Sequence, residues 1–330
     1  MTDKNAVLVE ICRGDEVESI HRGVVVVADS KGKVVFSLGD VDRVLYPRSA
    51  LKIFQALPVV ASGITEDLKL LAEDYALLLA SHSGEIAHTK RVAALLEKID
   101  MTMDDLACGA HEPYHRETAM RLVANGEKPC PLHNNCSGKH SGMLMLARAK
   151  NVSYKNYINP QHIVQLQIAA AIEKFCHVKL SPAAIDGCSA PTFALPIKNM
   201  ASGLARFGVA AGDDKMACDL LFHSAVKHPY FVAGTDRHCT KVMQVLAGKV
   251  LVKVGAEGFY AAIIPHLGFG VAIKIDDGAD RAAQIILNGV LDKLELLNKT
   301  AKQKLPKKKT LQNFQGLAVG EIRIAEDSYL

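Results

Sequence analysis

The sequence contains no tryptophan, and aromatic residues make up only 5% of its 330 positions. Base-stacking aromatics are therefore scarce, and a formal net charge of +4 over this length is no clustered basic footprint. No nucleic-acid partner is expected. Apolar runs such as residues 76–80 and 24–28 fall far below the roughly 20 residues of a membrane-spanning helix, so no membrane partner is expected either. The 8 cysteines form no CxxC pair, and their irregular spacing gives no disulfide framework. No basic stretch followed by an apolar run and small cleavage residues opens the chain. The expectation is a cytoplasmic protein whose cysteines are thiols, most of them core filler. Nucleotide signatures are missing too. No G-x-G-x-x-G follows a strand, and Gly138-Lys139 lacks both the upstream glycine and the following Ser/Thr of a P-loop. What is present is 49% hydrophobic and 22% charged residues, enough for a large core in one or two domains.

The apolar period changes along the chain. Residues 6–10, 23–29 and 33–38 read as strands, the last two joined by a turn at Ser30-Lys31-Gly32. Helical spacing then runs through 49–61, 65–81, 85–99, 116–124, 137–149, 160–176, 197–207, 213–226 and 237–246. Strands return as a meander at 250–254, 259–265 and 270–275, followed by a helix at 279–298 and a strand at 317–324. The lysine-rich segment 299–315 reads as a solvated loop rather than a nucleic-acid arm, because no aromatic residues interleave its charges. Strands at both ends and helices between them predict an α+β fold. One antiparallel sheet forms from residues 1–48 and 248–330, with a helical subdomain at 49–247 inserted, all in one catalytic unit.

Four clusters could carry chemistry. Ser49 and Lys52 form an S-x-x-K at the first helix, where i,i+3 spacing brings their side chains together and a desolvated lysine can act as base toward the hydroxyl. A bare S-x-x-K is ordinarily a helix cap with a surface lysine; its position after an N-terminal strand pair is what raises its interest. Lys253-Val254-Gly255 lies on a C-terminal strand, as the K-T-G motif does in the serine β-lactamase architecture. Ser81-His82-Ser83-Gly84-Glu85 falls between two helices, either as a second serine motif or as an ordinary helix start with Glu85 in the first turn. Finally, Cys136, Cys188 and one of His133 or His140 suggest zinc by spacing alone, with Lys139 at helical spacing from Cys136.

Together, Arg48-Ser49-Ala50-Leu51-Lys52, Ser81 to Glu85, Cys136-Ser137-Gly138-Lys139-His140, Asp186-Gly187-Cys188-Ser189 and Lys253 to Gly258 resemble the Rhizobium etli-type L-asparaginases, a class of the asparaginase II family. The resemblance covers nearly the whole chain. It implies a serine β-lactamase/penicillin-binding-protein-like fold, hydrolysis of L-asparagine to L-aspartate and ammonia, and a homodimer. It implies that Ser49 pairs with Lys52, and Ser81 with a strand lysine taken as Lys253, with Lys274 as the fallback. It also implies zinc held by Cys136, Lys139 and Cys188, which replaces the histidine preferred on spacing and leaves His140 beside the metal or facing substrate. Arg48, Asp186 and Gly255 complete the expected substrate contacts. Ser49 is favoured over Ser81 as nucleophile for its helix-start position. The rival readings are a glutaminase or a β-lactam or peptide hydrolase on the same fold, and a non-catalytic zinc or thiol protein.

Overall fold

β1 (Ala6–Arg13) turns at Gly14-Asp15 into the long strand β2 (Glu16–Asp29), which pairs with it antiparallel from Arg13–Glu16 to Ala6–Gly23. These positions come from a computed structural model, which describes residues 5–328 and Leu330. β2 begins seven residues before the expected start at residue 23. Its first five residues are exposed, so they carry no apolar alternation to read. From Val24 to Ala28 every residue is fully buried, which requires both faces of the strand to be covered. β3 (Val34–Leu38) folds back on this segment.

The C-terminal meander consists of β4 (Leu251–Val254), β5 (Phe259–Ile264) and β6 (Phe269–Ile275). β6 pairs antiparallel with β2, Val271 opposite Val27, and so joins the two ends of the chain. β7 (Lys308–Gln312) and β8 (Ala318–Ile324) extend the sheet beyond β1, giving the order β7-β8-β1-β2-β6-β5-β4 with β3 also on β2. The helix Ile197–Gly208 packs on β2, β5 and β6, and the helix Asp280–Lys293 on β1, β5, β6 and β8. The α+β class and the sheet built from both chain ends are therefore as expected. The helices between residues 52 and 245 pack largely on one another, with Phe54, Phe175 and Phe207 meeting at centroid distances of 5.8–6.5 Å.

Three expectations need correction. The helix expected at 49–61 is a 3-10 turn, Arg48–Leu51, followed by the short helices Lys52–Gln55 and Leu57–Ala61; Pro58, which has no N–H to donate, sits at the start of the second. The helix expected at 65–81 is two short helices, Ile64–Asp67 and Ala72–Leu78, broken by the extended Leu71. The lysine-rich loop is instead the helix Lys299–Lys304, capped by Asn298 Oδ1 on the Ala301 N–H at 2.9 Å, and then edge strand β7. Exposed lysines on an edge strand discourage pairing with another chain, so a charge run that looks like a solvated loop also suits a sheet margin.

Candidate active site

The end of β4 and the turn that carries Ser49 are pressed together. A side chain at Gly255 would meet the Pro47 carbonyl oxygen at 2.5 Å and Phe259 Cβ at 2.7 Å, so only glycine lets the two backbones approach. Arg48 is held at φ +51°, a left-handed conformation uncommon outside glycine, and the 3-10 turn starts there. Ser49 is half-buried; its carbonyl accepts the Lys52 N–H, but its hydroxyl makes no hydrogen bond among the described residues.

Lys52 does not turn toward Ser49, as the i,i+3 spacing suggested. Its amine, 1% exposed, donates to the Ala80 carbonyl at 2.7 Å, to Ser81 Oγ at 3.0 Å and to the Asn135 carbonyl at 3.4 Å. The early end of the 72–78 helix makes this possible, since it turns the Ala80 carbonyl and Ser81 out of the helical ladder. The Ser81 N–H is fixed by the Val232 carbonyl at 2.9 Å. Lys253, fully buried on β4, contacts the same Ser81 Oγ at 2.6 Å and the Val254 carbonyl at 2.9 Å. Ser81 thus lies between two amines. Burial, and then the neighbouring Lys52 charge, push the Lys253 pKa well below that of a free lysine, favouring its neutral amine. Lys274 lies elsewhere, donating to the Glu257 carbonyl.

Cys136, Lys139, His140 and Cys188 form a second buried cluster beside the first. Lys139 Nζ donates to Cys188 Sγ at 3.0 Å. The neighbouring Cys136 side chain lowers the Cys188 thiol strongly, and Cys188 together with burial raises Cys136, whose Sγ donates to Asn135 Oδ1 at 3.2 Å. Burial opposes the charge on Lys139, but the adjacent Cys188 and Cys136 sulfurs outweigh it and raise its pKa. His140 Nδ1 meets the Tyr157 hydroxyl at 2.6 Å, while its Nε2 is buried with no hydrogen-bond partner. Burial pushes His140 down to about 4. His133 is drawn away, its Nδ1 3.2 Å from Cys130 Sγ. No group of three His, Cys, Asp or Glu side chains able to hold a metal occurs among the described residues, so any metal set here depends on Lys139.

Arg48 and Asp186 bond to each other. Both Arg48 Nε and Nη2 reach Asp186 Oδ1 at 2.5 Å, and the Gly187 N–H reaches the same oxygen at 2.8 Å. Asp186 Oδ2 has no hydrogen-bond partner among the described residues. Ser49, Ser81, Cys136, Asp186, Cys188 and Gly255 open onto one cavity of about 590 Å³. Its remaining wall holds residues that the sequence reading did not single out, including His111, Tyr114, Arg237, Tyr260, Asp280 and Gln284. No spacing signal ties them to Ser49, because separate loops, strand β5 and the 280–293 helix bring them in. Of the expected set, Lys52, Lys139, His140 and Lys253 lie behind this wall, buried.

Among solved structures, the chain is similar to a β-lactamase from Mycobacterium bovis, with 13% identity, a TM-score of 0.44, and coverage of 82% of this chain and 94% of that one. It is similar also to a class C β-lactamase from Rhodobacter sphaeroides, with 14% identity, a TM-score of 0.42, and coverage of 83% and 95%. No match to a curated protein was found. Residues 9–324 match the L-asparaginase II family, and since that span takes in both chain ends of the sheet and every site residue above, the chain belongs to the L-asparaginase II family and is an amide hydrolase.

Proposed function

We propose that the protein is an L-asparaginase of the Rhizobium etli type, converting L-asparagine to L-aspartate and ammonia through a serine ester. The observation that carries this reading is Ser81 Oγ held between the Lys253 and Lys52 amines beside an unbonded Ser49 hydroxyl on the same cavity wall. Ser49 is the better nucleophile of the two serines. It is half-buried and unconstrained, whereas Ser81 is 3% exposed and engaged by both amines. In this mechanism Ser49 attacks the side-chain amide carbon. Its proton passes through Ser81 to the neutral Lys253 amine, and ammonia leaves with a proton returned along the same path. Water then hydrolyses the β-aspartyl ester. The Ala256 N–H, next to Gly255 and without a partner among the described residues, is a candidate oxyanion donor on the cavity wall. Asp186 Oδ2 suits the substrate α-ammonium, with Arg48 holding that carboxylate in place.

Zinc is proposed on Cys136, Lys139 and Cys188. Two thiols and an amine nitrogen in one buried cluster suit it, and the unpartnered His140 Nε2 beside them is an open polar position. When bound, the ion would supply a fixed positive charge that orients the polar end of the substrate. The chain is further proposed to work as a homodimer in the cytoplasm. All eight cysteines are free and seven of them buried, which agrees with a reducing compartment.

Ammonia release from L-asparagine and L-glutamine, measured in parallel with metal content on one sample, tests the reading. Release faster from asparagine, with one zinc per chain, is expected. Glutamine preferred would assign a glutaminase instead, and zinc without release from either amide would assign a non-catalytic metal protein. One methylene gives only about 10–200-fold discrimination through packing, so the ratio is the quantity to report.

A further inference from the structure

The five-residue segment Ser81 to Glu85 has one residue in the proton path, and two others, Ser83 and Glu85, grip a loop that leads to the cavity wall. Glu85 accepts the Thr235 N–H at 2.8 Å and the Thr235 hydroxyl at 2.7 Å, and the Tyr230 hydroxyl approaches it at 3.3 Å. Ser83 Oγ donates to the Ala233 carbonyl at 2.8 Å. The loop nests so closely that a side chain at Gly234, φ +116°, would meet Glu85 Oε1 and Ser83 Oγ at 2.6 Å each.

That loop ends at Arg237, which lines the cavity with Ser49 and Ser81. Its Nη1 donates to Ser83 Oγ at 3.4 Å, and its guanidinium lies 5.8 Å from the centroid of the Tyr114 ring. Arg43, Arg48 and Arg91 each hold an ion pair with an aspartate, but Arg237 makes none among the described residues. Burial raises the Asp280 pKa on the same wall, and the Arg237 charge offsets this only in part, with no ion pair between the two among the described residues. Arg48 is already spent on Asp186, so Arg237, with only one long bond to Ser83, is the guanidinium on this wall that keeps most of its donors for a ligand.

We propose that Arg237 anchors the substrate α-carboxylate, and that Glu85 and Ser83 are positioning residues that hold it there through the 233–237 loop. The proposal rests on the amide-hydrolase reading above and adds the group that recognises the acid end of the substrate. With Asp186 Oδ2 taking the α-ammonium, the two sites would read an amino-acid zwitterion from opposite sides.

The test compares kcat/KM for L-asparagine and for L-asparagine α-N-methylamide, in which the side-chain amide is the one bond that releases ammonia. The wild-type chain should prefer the free acid by about 10- to 100-fold, the usual worth of a charge-assisted hydrogen bond. Arg237→Gln should bring that ratio close to one, and Glu85→Ala should lower it in the same direction, with Glu85→Gln recovering part of it. A purely structural role for Glu85 would change rates without moving the ratio. Circular dichroism and melting curves on each variant separate misfolding from lost recognition. Succinate titrated calorimetrically reads the anchor without turnover: wild-type binding that weakens at least tenfold in Arg237→Gln supports it even if no amide is hydrolysed. A ratio that Arg237→Gln leaves unchanged, or succinate affinity equal in the two proteins, overturns the proposal. Absence of ammonia release from every amide, with succinate binding intact, would count against the hydrolase reading alone.

Discussion

A lysine amine with no water around it and a second amine nearby gives up its proton far more readily than in solution, and Lys253 meets both conditions. In the proposed mechanism the form that accepts a proton from Ser81 is the neutral one. A depressed pKa keeps that form populated at neutral pH, and acidification through the depressed value protonates it. Activity should therefore fall on the acid side, and kcat/KM against pH should show that limb in the wild type. Lys253→Ala should lose about 10²–10⁴-fold in kcat, the range of a lost general base, and flatten the limb. Retention of the limb in Lys253→Ala would assign it to another group. At this scale the motif serines and lysines were legible because their types and order are chemically unusual. The partnering of Lys52 with Ser81 was not, since i,i+3 spacing says which side chains share a face and not where a flexible four-carbon chain ends. Arg237 was invisible for another reason: its tie to Ser83 spans 154 positions of sequence and exists only through the fold.

At the scale of elements, the site depends on short pieces that interrupt longer apolar patterns. The 3-10 turn at Arg48–Leu51 and the helix end at Leu78 both fall where the 3.6-residue period runs on, so the period overstated both helices. The first helix after the turn is anchored by Phe54, fully buried and 5.8 Å from Phe175. Phe54→Ala should cost about 3–5 kcal/mol, seen as a lower urea midpoint at unchanged m-value. A stability loss under about 1 kcal/mol, from the midpoint shift multiplied by m, would show that the surrounding helices collapse into the space. Gly255→Ala is expected to damage the site more than the fold. Its new methyl would push β4 from the Pro47 carbonyl, so kcat/KM should drop by more than the melting temperature suggests. Equal loss in both would mean that Gly255 serves packing alone. The long strands and the C-terminal meander were readable from alternation and turn residues. The exposed start of β2 and the lysine edge strand were not, because polar margins of a sheet look like loops.

For the whole molecule, the antiparallel β2–β6 pairing matters most, because it brings Lys253 from the far end of the chain to the serine clusters of the first third. The helical insert supplies the cysteine cluster on the same cavity. If zinc occupies that cluster, a chelator should lower the melting temperature of the wild type, and Cys188→Ala should carry no zinc and show no chelator response. Equal zinc content in Cys188→Ala and wild type would remove Cys188 from the ligand set. The central claim is that an acyl group forms on Ser49 during asparagine turnover, and acid-quenched peptide mapping tests it most directly. Chain mixed with L-asparagine and quenched during steady turnover should carry a β-aspartyl adduct on the peptide containing Ser49, absent in Ser49→Ala. An adduct on Ser81, or turnover undiminished in Ser49→Ala, would contradict the account.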